Sequence, residues 1–145
     1  MTATQSVPRR EIVSDWLLVS QERIDAFAAA TDDRQWLHVD VERAKRDSPY
    51  GGTIAHGFLT LSLISLMLRE TVRFEGARMA VNYGLNRVRF VAPVPAGSRI
   101  RGRFRAVTTE ETADRALKVT WAVMIEREGE AAPCCVAEWI TLYFR

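Results

Sequence analysis

Asp33 and His38 lie five positions apart, and their side chains are suited to acid–base chemistry. On a continuous helix this spacing would turn them roughly 140° apart, since each residue rotates by about 100°. They converge only if the chain leaves the helix after Asp33 and loops back. Trp36 and Leu37 favour such a loop, because two large apolar groups in a polar segment would be buried against the core. A carboxylate and an imidazole held toward one point form a plausible acid–base device.

The same residues also have a purely structural interpretation. Asp32 or Asp33 can simply end the preceding helix, and His38 can be a hydrogen-bonded loop histidine. Sequence spacing does not separate the two interpretations, because a histidine with a perturbed pKa cannot be told from any other histidine in the sequence. The elements around the segment therefore have to decide.

Composition favours an ordinary globular protein with one domain, residues 1–145, of which residues 1–10 form a loose N-terminal arm. Hydrophobic residues make up 48% and charged residues 26%, and a net charge of +2 gives no reason to expect nucleic acid as a partner. The polar N-terminus lacks a signal-peptide core, and the apolar stretch 58–68 is too short to span a membrane. The adjacent Cys134 and Cys135 suggest neither a structural disulfide nor a metal site. We expect a cytoplasmic protein.

Apolar periodicity and capping residues predict the helices. Ser20 is a good N-cap for a helix over 21–31, and Asp40 for a short helix over 41–46. Residues 54–74 predict one long central helix that is apolar nearly all round, about 30 Å in length, and hence wrapped by other structure.

The second half of the chain predicts strands over 78–91, 98–108, 116–128 and 133–144, and residues 12–18 predict a short strand or an extended lead-in. Together these elements predict an α+β domain in which an antiparallel sheet curls around the central helix. Residues 99–105 alternate so that four arginines share one sheet face. We interpret this face as a solvated outer surface; the alternative is a surface that attracts ligand phosphates or an acidic carrier protein.

Two stretches together resemble the MaoC-like dehydratase family, which contains the (R)-specific enoyl-CoA hydratases. The first family pattern is Gly-Asp-x-Asn-Pro-Leu-His followed, after five residues, by a small residue, and the matching positions here are Asp33, Leu37, His38 and Ala44. The second stretch, residues 51–60, is similar to the glycine-rich entry of that family into its central helix.

The resemblance implies a hot-dog fold, a homodimer and a tunnel for an acyl thioester near the subunit interface. It implies reversible syn hydration of a trans-2-enoyl thioester, with acyl-CoA as the expected substrate and acyl-carrier protein as the close variant, to give the (R)-3-hydroxyacyl thioester. No metal and no redox cofactor is expected, since CoA is part of the substrate.

The resemblance also assigns roles to residues. We expect His38 to act as the base with Asp33 orienting it, although which of the two is formally the base is left open. The backbone N–H of Gly57 is the candidate donor to the enolate oxygen. His56 is interpreted as structural. Weaker candidates for substrate binding are Trp36, Asn86 and Arg87.

The chain departs from the family pattern at three positions. Asp32 replaces a glycine, and Gln35 and Trp36 replace Asn-Pro, which together with residues 82–90 is more similar to the nodulation-protein-N-like branch. Either adjacent carboxylate could face His38, and Asp33 is chosen because its spacing matches. Two alternative functions remain: a hot-dog acyl-CoA thioesterase, and a non-catalytic acyl-binding subunit of a heteromeric dehydratase.

Overall fold

A six-stranded antiparallel sheet packs on a central helical segment in the computed structural model, which describes residues 7–145. The strands are β1 (Ile12–Val13), β2 (Leu17–Val19), β3 (Met79–Phe90), β4 (Ser98–Glu111), β5 (Leu117–Arg127) and β6 (Pro133–Phe144). Their order is β1-β4-β5-β6-β3, and β2 also pairs with β4. Most of the arm predicted for residues 1–10 lies outside the described residues, but Val7 packs against the core.

Five helices precede the long strands: α1 (Gln21–Thr31), α2 (Trp36–Val39), α3 (Val41–Asp47), α4 (Gly57–Ser62) and α5 (Ile64–Thr71). Both predicted caps are confirmed. The Ser20 hydroxyl accepts the N–H of Arg23 at 3.1 Å, and the Asp40 carboxylate accepts the N–H of Arg43 at 3.0 Å. Each cap satisfies a backbone donor that has no partner inside the first turn of its helix.

The predicted central helix over 54–74 is wrong at both ends and is interrupted. Ile54 is extended and bridges to Pro95, because the N–H of Ala55 donates to the carbonyl of Val94 at 2.8 Å. Leu63, at φ −72° and ψ −12°, separates α4 from α5. The two helices together span about 22 Å, shorter than predicted.

The core lies between these helices and one face of the sheet. Gly102 on β4 permits the close approach, since a Cβ there would lie 2.5 Å from the Phe104 ring and 3.2 Å from Met67 Sδ. The side chains in this core include Leu59, Ile64, Met67, Leu68, Ile100, Phe104, Trp121 and Ile125, all of them buried. Apolar surface therefore holds the central helix against β4 and β5.

The sheet wraps the central helix as predicted, but part of the apolar surface stays uncovered in a single chain. Phe58, at the start of α4, keeps 69% of its surface exposed. The edge strand β3 is exposed along nearly its whole length, and its exposed apolar side chains include Met79, Val81, Tyr83 and Leu85. An apolar region of this kind is typical of a surface that meets another chain.

The arginine-rich face of β4 is neutralised by acidic neighbours. Arg101 and Arg103 both contact Glu126, and Arg103 also contacts Glu11 at 2.8 Å. Arg99 pairs with Glu128 at 3.1 Å. Three of the four arginines are thus paired with carboxylates, in agreement with the interpretation of the face as an outer surface.

The Glu126 carboxylate is expected to stabilise the fold to an extent that depends on pH. Burial raises its pKa, but hydrogen bonds from Arg101 and Arg103 outweigh that effect, so its pKa lies below the ordinary value of 4.5. A lowered pKa means that this carboxylate stabilises the fold above pH 4.5 and that the contribution is lost as the pH falls through the lowered value. We expect Glu126→Gln to reduce the free energy of unfolding by about 1–2 kcal/mol at pH 7, and by less in acid.

Urea unfolding across pH would check this expectation. Glu128→Gln is the matched control, because both members of its ion pair with Arg99 are nearly half exposed and should contribute less than about 1 kcal/mol. Equal losses in the two variants, or a Glu126→Gln effect that does not change with pH, would contradict it.

The two cysteines are buried and free. Burial raises the pKa of both thiols to about 11, so neither is a ready nucleophile at neutral pH.

Within residues 7–145, every helix is too short or too polar to cross a bilayer.

Candidate active site

Two chain segments, residues 33–38 and 53–56, are joined by three hydrogen bonds. The N–H of Ile54 donates to the carbonyl of Leu37 at 3.2 Å. His38 Nδ1 lies 2.7 Å from the carbonyl oxygen of Ile54, and His56 Nε2 lies 2.9 Å from that of Asp33. These bonds bring both histidines of the chain to one place.

The turn after α1 delivers Asp33 to the same place. Helix α1 ends at Thr31, and Asp32 takes the left-handed conformation at φ 59°, which aspartate tolerates better than most residues. The Asp32 carboxylate pairs with Arg34, at the surface. A carboxylate oxygen of Asp33 and a ring nitrogen of each histidine all lie within 4.8 Å of one another. The structure thus brings Asp33, and not Asp32, together with His38.

The hydrogen bonds of His38 determine which of its ring nitrogens is available. A carbonyl oxygen can only accept, so Nδ1 carries the proton in the contact with Ile54 and Nε2 keeps its lone pair. The ring is buried, with 8% of the residue exposed. Gln21 of α1 fixes the backbone, since its side-chain amide donates to the His38 carbonyl at 2.7 Å while its oxygen accepts the Thr53 hydroxyl. His38 is therefore held with Nε2 free to accept a proton.

Trp36 anchors the turn from outside. The predicted loop contains the one-turn helix α2, and the guanidinium of Arg43 lies 4.3 Å from the centre of the Trp36 ring. Trp36 and Leu37 are half-buried. A cation–π contact with the next helix thus helps to hold the turn that carries His38.

Gly57 is the first residue of α4, so its backbone N–H has no partner within the helix. It lines a cavity of about 280 Å³ together with Ala55, Thr60 and Phe90. A Cβ at position 57 would lie 2.9–3.1 Å from the Phe90 ring, so only glycine fits without moving that ring. The cavity opens beside the segment that holds the Asp33–His38 pair, although neither residue lines it.

The weaker substrate-binding candidates lie outside the cavity beside Gly57. Asn86, on β3, donates to the Glu138 carboxylate at 2.6 Å, and Arg87 occupies the next position of the same exposed strand. Neither they nor Trp36 line the cavity beside Gly57. Trp36 lies in the turn that carries the Asp33–His38 pair, whereas Asn86 and Arg87 lie on the edge strand β3. Contact of the three with substrate stays a prediction.

His56 was interpreted as structural, and the structure places it in direct contact with His38. Its ring stacks on that of His38 with centroids 3.8 Å apart and planes inclined by 24°. The signal available in the sequence was its position directly before Gly57. Gln21 and Thr53, which fix the backbone of His38, carried no recognisable signal.

Asp33, His38 and His56 also have the donor types that bind metal ions. A metal is bound in the plane of an imidazole ring at about 2.1 Å from its nitrogen. Stacked, nearly parallel rings direct their lone pairs side by side, so the two histidines are poorly arranged to converge on one ion. The geometry suits an acid–base pair with a neighbouring ring better than a metal centre.

An antiparallel sheet curled around a central helix, with an aspartate–histidine pair beside the helix N-terminus, defines a hot-dog protein of the dehydratase and hydratase class. The family model described as "MaoC like domain" matches residues 3–127, and the chain belongs to the MaoC-like family. It is a dehydratase/hydratase of the MaoC type.

Curated relatives agree with this assignment, and a solved structure agrees with the fold. The 3-hydroxyacyl-thioester dehydratase Z of Mycobacterium tuberculosis is 47% identical over 130 residues, covering 90% of this chain and 85% of the relative. Nodulation protein N of Rhizobium leguminosarum bv. viciae is 48% identical over 130 residues, covering 89% and 81%. The (R)-hydratase of A. caviae superposes with a TM-score of 0.77 over 95% of this chain and 98% of that one, and its 22% identity supports the fold alone.

Proposed function

We propose that the protein catalyses reversible syn hydration of a trans-2-enoyl-CoA to the (R)-3-hydroxyacyl-CoA. One observation carries the proposal: an oxygen of Asp33 and a ring nitrogen of His38 lie within 4.8 Å of each other. One water molecule fits between two such groups, since each hydrogen bond to it spans about 2.8 Å. The hydrogen bond from Nδ1 to Ile54 leaves His38 Nε2 as the acceptor for a proton of that water.

The reaction then follows from the two side chains. His38 Nε2 removes a proton from the water while the Asp33 carboxylate orients it, and the oxygen forms a bond to C3 of the enoyl group. The electron pair of the C2–C3 double bond forms a C1–C2 double bond, and the carbonyl pair moves to the thioester oxygen to give an enolate. The protonated His38 returns its proton to C2 on the same face, which completes the addition of one water molecule, and the reverse sequence is the dehydration.

The N–H of Gly57 is our proposed donor to the enolate oxygen. It is a free donor at the start of α4, where the partial positive charge of the helix favours an anion. Donors of this kind act by stabilising charge that develops only during the reaction. Glycine is needed at this position, because a Cβ would collide with the Phe90 ring.

Two cavities beside the central helix, the smaller one lined mainly by apolar side chains, support an acyl substrate. A cavity of about 320 Å³ is lined by Phe58, Leu61 and Leu85. A second cavity, of about 770 Å³, adjoins it, since Ser65, Asn82 and Trp139 line both. Both lie between the central helix and β3. We propose that the acyl chain occupies this space, with the thioester near Gly57.

Crotonyl-CoA provides the direct test. The ultraviolet absorbance of the conjugated thioester should fall on addition of the protein, and chiral analysis should identify the (R)-3-hydroxy product. Release of free thiol from a saturated acyl-CoA, without hydration of short, long or carrier-bound enoyl thioesters, would overturn the proposal in favour of the thioesterase.

We also propose that two copies pair along β3. The Asp33 carboxylate is exposed in one chain, and the apolar side chains of β3 and Phe58 are uncovered. A second copy would cover this apolar surface and satisfy the free edge of β3, and it would add a wall to the acyl space.

Leu85→Glu should disrupt that dimer. The variant places one carboxylate from each copy in the same apolar interface, which should weaken association about 100-fold or more. Sedimentation velocity should give about twice the 16.4 kDa chain mass for the natural protein and one chain mass for the variant. Val107→Glu is the control, because Val107 is an exposed apolar residue on β4. A natural protein that stays monomeric at micromolar concentration would contradict the homodimer and favour a heteromeric partner.

A further inference from the structure

His56 contacts both members of the proposed catalytic pair. Its ring stacks on the ring of His38 at 3.8 Å, while Phe27 packs against it with a centroid distance of 4.8 Å. Its Nε2 lies 2.9 Å from the backbone oxygen of Asp33. Only 3% of His56 is exposed, so its ring contacts the Asp33–His38 pair and not solvent.

Burial of the two ring nitrogens of His56 lowers the stability of the fold, which argues against a role in packing alone. The contact with the Asp33 carbonyl requires a proton on Nε2, because the carbonyl can only accept. Nδ1 is then an unprotonated acceptor, and it is buried without a hydrogen-bond partner among residues 7–145. A buried polar atom without a partner destabilises a fold, so a phenylalanine ring would pack here at lower cost. The imidazole is therefore explained by the bond that its other nitrogen makes.

We propose that His56 is a positioning residue for the Asp33–His38 pair. Its ring limits rotation of the His38 ring, and its Nε2–H fixes the backbone of Asp33, so that one side chain sets the distance between carboxylate and base. This inference rests on the proposed hydration, and it assigns to His56 a task beyond packing.

Two variants separate the two contacts. His56→Phe keeps a stacked ring and loses the donor to Asp33, whereas His56→Gln keeps an amide donor and loses the ring. We expect each to lower kcat for enoyl-CoA hydration about 10–100-fold, because small displacements of a catalytic pair cost that much. KM should change by less than about 3-fold, since a buried His56 does not touch substrate.

Val119→Ala is the control for a loss of stability alone. Val119 is fully buried on β5, and it lines none of the three cavities described above. Compared at equal fraction folded by circular dichroism, Val119→Ala should keep kcat within about 3-fold. A His56→Phe protein that follows Val119→Ala in kcat would overturn the proposal.

Nitrogen-15 NMR of the imidazoles tests the positioning without substrate. The chain has two histidines, so the spectrum of His56→Phe or His56→Gln contains His38 alone. In the natural protein His38 should show one tautomer, protonated at Nδ1, and in His56→Gln a mixture of tautomers or exchange broadening is expected. An unchanged single tautomer in both variants would refute the positioning role. Failure of every enoyl thioester to react would count against the proposed function and would leave this spectral test intact.

Discussion

His38→Ala is expected to lower kcat for hydration of crotonyl-CoA by about 10²–10⁴-fold, the usual contribution of a general base. The variant removes Nε2, the one ring nitrogen of His38 that is left with a free lone pair by the bond to Ile54. We do not expect His56 to replace it, because its Nε2 is engaged with the backbone of Asp33 and its Nδ1 is buried. Steady-state kinetics of the variant and the natural protein, followed by absorbance of the conjugated thioester, would measure the loss.

A second variant, His38→Asn, distinguishes loss of the base from loss of the fold. His38→Asn retains a side-chain donor close to the position of Nδ1 and can keep the hydrogen bond to Ile54, so it should fold even if the alanine variant does not. It lacks a basic nitrogen and should be as inactive as His38→Ala. If His38→Asn turned over at more than about a tenth of the natural rate, His38 would not be the base.

The parts of the fold that sequence predicted well are those fixed by neighbouring residues. Ser20 and Asp40 each accept a backbone N–H three residues further on, so the start of α1 and the start of α3 were predicted correctly. The long strands β5 and β6 were also predicted to within a residue or so at each end. In each case the signal and the structure it determines lie in the same short segment.

The errors have a non-local cause. Residues 54–56 continue the apolar pattern of the central helix, but Ala55 is held extended by Val94, almost forty positions later. The interruption at Leu63 likewise lies inside an unbroken apolar run that gave no sign of it. The exposure of Phe58, at the start of an apolar helix, was likewise not visible in the periodicity.

The candidate site combines both kinds of information. The left-handed turn at Asp32 is a local event, and it explains why residues five apart can converge. The stacking of His56 on His38 requires residues 53–56 to dock on residues 33–38, and no spacing rule predicts that contact. The pair could therefore be proposed from sequence, while its supporting ring could not.

Asp33→Asn is expected to lower kcat about 100-fold or more while the fold is retained. The amide has nearly the shape of the carboxylate, and the Asp33 side chain is exposed, so packing should change little. It lacks the negative charge that orients the water and stabilises the positive charge gained by His38 when it accepts a proton. The same kinetic assay would measure the loss, with thermal unfolding as the check on structure.

Asp32→Asn offers a matched control one residue away. Its carboxylate is 83% exposed and pairs with Arg34, and it lies outside the cluster formed by Asp33 and the two histidines. An exposed ion pair of this kind contributes little, so the variant should keep kcat within about 3-fold. The opposite order, with Asp32→Asn inactive and Asp33→Asn active, would show that the turn presents the other carboxylate to His38. Similar activity in both variants would mean that His38 works without a carboxylate, because no third acidic side chain of residues 7–145 belongs to this cluster.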